Sequence, residues 1–129
     1  MTELSPENIN VSTWKIPSPL GIIGSHANGE FNGMTASWFT QISMDPALIG
    51  VGIDNKSVTF SLMDQSEYFT LNMFSPEYTK VFVKFSKPAE YTDGFLNKEP
   101  IFLTENKVPV FKNATVWFEL KTTQKIDFG

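Results

Sequence analysis

The chain has 129 residues, enough for one hydrophobic core and too few for two. A net charge of −4 with no arginine among its ten basic residues argues against a nucleic-acid partner and removes bidentate arginine recognition of phosphate. Without cysteine there are no disulfides, thiolate metal sites or iron–sulfur clusters, and the single histidine, His26, leaves no ordinary zinc ligand set.

Residues 1–18 are polar, with Pro6 and Pro17, and read as an N-terminal tail that becomes ordered around Trp14 and Ile16. The acidic opening MTELSPENIN lacks the basic-then-apolar layout of a signal peptide. No apolar run approaches the roughly 20 residues that cross a bilayer, so a cytoplasmic protein without a membrane partner is expected. A strand over 20–25 (LGIIGS) leads into Asn28-Gly29, a strong hairpin signal. The stretch 33–53, GMTASWFTQISMDPALIGVGI, is two apolar segments about an Asp45-Pro46 turn. Its first half sets Thr35, Ala36, Ser37 and Thr40 between larger apolar residues, a backbone that a flat ligand can approach.

Asp54-Asn55 predicts a helix over about 56–64, either side chain capping it, with Val58, Ser61 and Leu62 on one side. Phe69, Leu71 and Met73 alternate with Thr70 and Asn72, a strand over 68–74. Ser75-Pro76-Glu77 predicts a second helix with serine as N-cap. Tyr78, Val81, Phe82 and Phe85 form its apolar stripe, and Ser86-Lys87-Pro88 ends it. Residues 89–108 are expected to be irregular, and 114–121 alternates as a long strand. Six or so strands in meander order with two short helices give a mainly β fold, a small antiparallel barrel whose closure removes open edges.

The segment GMTASWFTQISMDPALI (33–49) resembles the signature hairpin of the flavin reductase-like, FMN-binding split-barrel family: a small residue, Thr, Ala, Ser or Asn, an aromatic, a hydroxyl residue, then a Ser-x-x-Pro-Pro turn. The match continues through Asn55-Lys56-Ser57-Val58-Thr59, through 69–73 and 81–86, and into 114–121, nearly everything from Pro19 onward. The resemblance implies an antiparallel split β-barrel of Greek-key or meander order. It also implies a homodimer that holds FMN or FAD near the subunit interface and passes hydride from NAD(P)H to flavin. On the matching positions, Thr35, Ala36, Ser37 and Trp38 would contact the ring and Thr40 the ribityl chain or phosphate. Asn55, Lys56, Ser57 and Thr59 would hold the phosphate at a helix start. Phe85, Ser86 and Lys87 would border the site. The cofactor carries the chemistry, so neither a catalytic side chain nor a metal is assigned.

Two positions depart from the family pattern. Ala47 replaces a second proline, and the chain ends at Gly129 where relatives usually continue Gly-Asp-His and a further strand. Residues 19–129 are therefore expected to form an FMN-binding domain lacking that strand. The competing readings are a flavin-binding module without reductase turnover and a ligand-free β-barrel dimerisation domain. Residue by residue, Thr35, Ser37 and Thr40 compete with plain solvent-facing hydroxyls, 55–57 with a simple helix cap, and His26 is expected on an exposed loop.

Overall fold

A computed structural model describes residues 5–129; the first four residues of the tail reading lie outside the described residues. The elements in order are α1 (Pro6–Thr13), β1 (Gly21–Ala27), β2 (Glu30–Ala36), β3 (Phe39–Met44) and β4 (Ala47–Val51). Then come α2 (Val58–Asp64), β5 (Tyr68–Met73), α3 (Lys80–Lys84), β6 (Tyr91–Thr92) and β7 (Phe95–Leu96). The described chain closes with β8 (Glu99–Leu103), β9 (Pro109–Phe111) and β10 (Val116–Lys121).

Three antiparallel sheets result, ordered β10-β5-β1-β2, β3-β4 and β6-β7-β8-β9. The β1–β2 hairpin turns on Asn28 and Gly29, at φ of 53° and 78°, the pair of left-handed residues that a two-residue I′ turn demands. The central sheet is covered on both sides because its strands carry apolar residues on both faces. Ile22 belongs to a cluster with Val81, Phe85, Leu96, Ile101 and Phe111, beneath α3 and β7 to β9. Its neighbour Ile23 points the other way, to Ala36, Phe69 and Leu71, with Phe39, Ile49 and Val51 of the β3–β4 ribbon packed over them. This is the mainly β, split-barrel arrangement expected from sequence, with sheets meeting through side chains rather than through one continuous ladder.

Several local expectations give way. The 33–44 segment is not one strand: β2 ends at Ala36 in the central sheet, and β3 starts at Phe39 in the ribbon. Part of the tail is helical; Ser5 caps α1 by accepting from the Asn8 amide at 3.1 Å, with Pro6 in the first turn. Trp14 and Ile16 stay exposed, so they do not order this segment by burial. The second predicted helix begins late, at Lys80, because Ser75 forms a turn to Tyr78 (3.0 Å) instead of a cap. Residues 89–108 carry three strands, where only irregular chain was expected.

Candidate functional site

Three hydrogen bonds draw the predicted site segments together around residues 35–38. The Thr35 amide donates to the Phe85 carbonyl at 2.9 Å and its hydroxyl to the Phe82 carbonyl at 2.7 Å, which brings the Phe85-Ser86-Lys87 corner alongside. On the other flank the Gly52 amide donates to the Trp38 carbonyl at 2.7 Å, and Asp54 to Ser57 follow directly in the chain. Trp38 itself is 71% exposed. Its side chain lies on Gly52, where a Cβ would come within 3.2 Å of the Trp38 Cβ. Ile42 similarly occupies the space above Gly50. Gly50 in β4 and Gly52 just beyond it make room for these two side chains, and glycines two residues apart at a strand end are the sequence signal that could have revealed this close approach.

The individual residues divide by what their polar atoms already do. Ala36 is buried in the core, Ser37 is half-buried, and Thr40 is exposed with its hydroxyl donating to the Gln41 carbonyl at 3.3 Å. Asn55 and Lys56 are exposed. Ser57 is the true N-cap of α2, accepting from the Phe60 amide at 3.0 Å, so neither Asp54 nor Asn55 has that part. Asp54 instead accepts from the Lys56 amide at 2.9 Å through Oδ1. The Lys56, Ser57 and Phe60 amides are thereby engaged within the corner, and the exposed Lys56 ammonium and Asn55 side-chain amide are available to an anion. Thr59, not Val58, faces inward: it is fully buried and its hydroxyl accepts from Asn32 Nδ2 at 3.0 Å. Phe85 is also fully buried, edge-on to Phe111 with ring centres 5.0 Å apart, while Ser86 and Lys87 are exposed.

A face of exposed apolar side chains adjoins this region. Ile42 and Met44 on β3 are 67% and 82% exposed. Two recesses of the described chain lie elsewhere. One of about 190 Å³ is lined by His26, Ser66, Tyr68 and Val108, among others, and one of about 340 Å³ by Asp64, Glu67, Thr122 and Lys125, among others. Within 35–38, Trp38 is exposed, Thr35 and Ser37 are half-buried and Ala36 is buried. Among the described residues no cluster of His, Asp and Glu is placed to hold a metal ion.

His26 lies within β1 and is half-buried, where an exposed loop position was expected. It stacks on Phe31 with ring centres 4.6 Å apart, and its Nε2 accepts from the Gly29 amide at 3.2 Å, which requires the neutral imidazole. Burial first, and the Lys107 ammonium second, hold its pKa below 6.5. The unfolded chain therefore takes up a proton that the folded chain refuses, and stability is lost as pH falls below 6.5 toward the folded value. In melts taken between about pH 7.5 and 5.5, the stability advantage of wild type over His26→Gln is expected to shrink on acidification. A constant gap across that range would contradict the assignment.

The family model of the flavin reductase like domain matches residues 13–129. The reductase subunit Stc3 of a stachydrine N-demethylase from Rhizobium meliloti is 32% identical over 108 residues, 84% of this chain and 46% of that protein. The NADH-dependent flavin reductase StyB of Pseudomonas fluorescens is 28% identical over 98 residues, 76% of this chain and 55% of that protein. This chain thus spans about half the length of these curated relatives. An FMN-binding protein from Thermus thermophilus superposes with a TM-score of 0.80 at 22% identity, covering 100% of this chain and 70% of that one. Among the described residues no helix is long and apolar enough to cross a membrane.

Proposed function

Because the chain belongs to the family of flavin reductase like domains, we propose that it binds FMN, with FAD as the alternative, and serves its reduction by NADH or NADPH. The observation that carries this reading is the exposed Trp38, next in the chain to Ser37 and bonded through its carbonyl to Gly52, three residues before the exposed Asn55 and Lys56. That donor set fits a flavin mononucleotide: an apolar surface for a ring, a hydroxyl for its polar edge, and an amide and ammonium for a phosphate. Thr35 and Ala36 fix the backbone at the ring, Thr40 continues the hydroxyl fringe, and Ser86 with Lys87 border the opening. Ser57, Thr59 and Phe85 act from behind: the first caps α2, and the other two are buried walls.

The bound flavin supplies the hydride chemistry. The protein's own residues bind it, orient it and limit water. A second copy of the chain laid over the exposed Trp38 would enclose the site, and exposed Ile42 and Met44 supply apolar surface for such a contact. The reading is therefore of a cytoplasmic homodimer, with flavin and nicotinamide as small-molecule partners.

Titration with FMN is expected to give a yellow complex with quenched fluorescence and a dissociation constant no weaker than about 10 μM. Light scattering should report twice the chain mass, and NADH or NADPH should bleach the bound flavin in a stopped-flow mix. Absence of flavin binding would remove the reading; binding without bleaching would leave a flavin-holding module.

A further inference from the structure

Glu99, on β8, is 3% exposed, and its carboxylate has two partners flanking α3. Tyr78 Oη donates to its two oxygens at 3.0 and 2.9 Å, and Lys84 Nζ to Oε1 at 2.8 Å. Tyr78 precedes the N-cap Thr79, and Lys84 is the last residue of the helix, so one buried carboxylate grips both ends of a five-residue element. Its other support is apolar, through fully buried Val81 and partly buried Phe82. Thr79 makes no side-chain capping bond, and so short a helix does not persist unsupported in water. Asn113 Nδ2 adds a bond to Tyr78 Oη at 3.2 Å, and Asn97 Nδ2 one to the Lys84 carbonyl at 2.9 Å. Burial, and then the bond to Glu99, push the Tyr78 phenol above its ordinary pKa and keep it a donor.

Held in this way, the α3 turn presents two carbonyls to one residue. Phe82 accepts from the Thr35 hydroxyl and Phe85 from the Thr35 amide. Thr35 is the last residue but one of β2, just before the chain leaves the central sheet toward Ser37 and Trp38. We propose that Glu99 is a positioning residue for the 35–38 stretch, acting through Tyr78, Lys84 and the two α3 carbonyls on Thr35. Its consequence for flavin rests on the functional reading above; the coupling from Glu99 to Thr35 does not.

The test uses the full chain carrying Glu99→Ala, Glu99→Gln or, as a destabilised control away from α3, Val108→Ala, each studied well below its melting temperature. Glu99→Ala is expected to speed amide exchange at Thr35 about tenfold, to weaken FMN binding about tenfold, and to alter the visible circular dichroism of bound FMN. Glu99→Gln retains an acceptor for Tyr78 and should recover most of both effects. Val108→Ala should lower the melting temperature and move neither. If Glu99→Ala does not fold, Tyr78→Phe replaces it in the same comparison. Unchanged Thr35 exchange, an equal response in Val108→Ala, or faster exchange with FMN affinity and spectrum unaltered would each overturn the inference. If wild type takes up no FMN, the flavin reading fails by itself, while Thr35 exchange still decides the coupling.

Discussion

Gly24→Ala is expected to destabilise the protein by about 3–4 kcal/mol, the cost of overpacking plus a lost buried hydrogen bond. Gly24 lies in the middle of β1, paired with Gly33 on β2 and Thr70 on β5. A Cβ there would strike the Pro109 carbonyl oxygen and Thr70 Oγ1. Those atoms are bonded to one another at 2.6 Å, fully buried, where β9 crosses the central sheet. The methyl group must therefore push β9 off the sheet or break that bond. Against a total stability of roughly 5–15 kcal/mol, much of the folded population is at stake. Urea unfolding measures it directly. A midpoint equal to that of wild type would mean that the three strands do not meet as closely as described.

The second large effect is expected at Asn72, which is fully buried, bonds through both its side-chain nitrogen and its oxygen, and ties the central sheet to β9 through the latter. Its Nδ2 donates to the Ile22 carbonyl and to Thr70 Oγ1, both at 3.0 Å, and its Oδ1 accepts from the Phe111 amide at 3.1 Å. Asn72→Leu keeps the approximate shape but strands the Phe111 amide and the Ile22 carbonyl's side-chain contact in an apolar setting. The expected loss is about 3 kcal/mol, one orphaned buried donor plus the bonds removed. Faster amide exchange at Phe111 should accompany it. A change below about 1 kcal/mol would show that water reaches this interior and satisfies the amide.

Much of the fold is readable from local chemistry. Asn28-Gly29 marks the first hairpin, Asp45-Pro46 the second, and the alternation of 68–74 gives β5, although both of its faces are buried and not the apolar one alone. The limits are equally specific. Ser5-Pro6-Glu7 and Ser75-Pro76-Glu77 are the same three residues, yet only the first starts a helix at once. In the second, the Ser75 hydroxyl bonds the Glu77 carboxylate at 3.3 Å and Tyr78 is drawn away to Glu99, so a tertiary partner overrides a local cap. The strands within 89–108 were hidden for another reason. β6 and β7 have two residues each, too few to show a period, and Pro100 in β8 and Pro109 in β9 are residues that normally argue against a strand.

The candidate site was legible as a segment and less so atom by atom. The run from Thr35 to Trp38 is bonded to Gly52 on one flank and to Phe82 and Phe85 on the other. Which hydroxyls are spoken for could not be read from residue type. Thr35 and Ser57 look alike in sequence to Ser37, but both spend their oxygens on backbone partners. Thr59 is turned inward by Asn32, a residue 27 positions earlier in the chain.

The recumbent posture of Trp38 and Ile42 over Gly52 and Gly50 has its own mechanical meaning. Bulk that would ordinarily stand up from a strand is laid along it, so the ribbon gains oily area without gaining height. A broad aromatic sheet of atoms could thus slide in edgewise and still be gripped over its whole underside, which upright side chains would prevent.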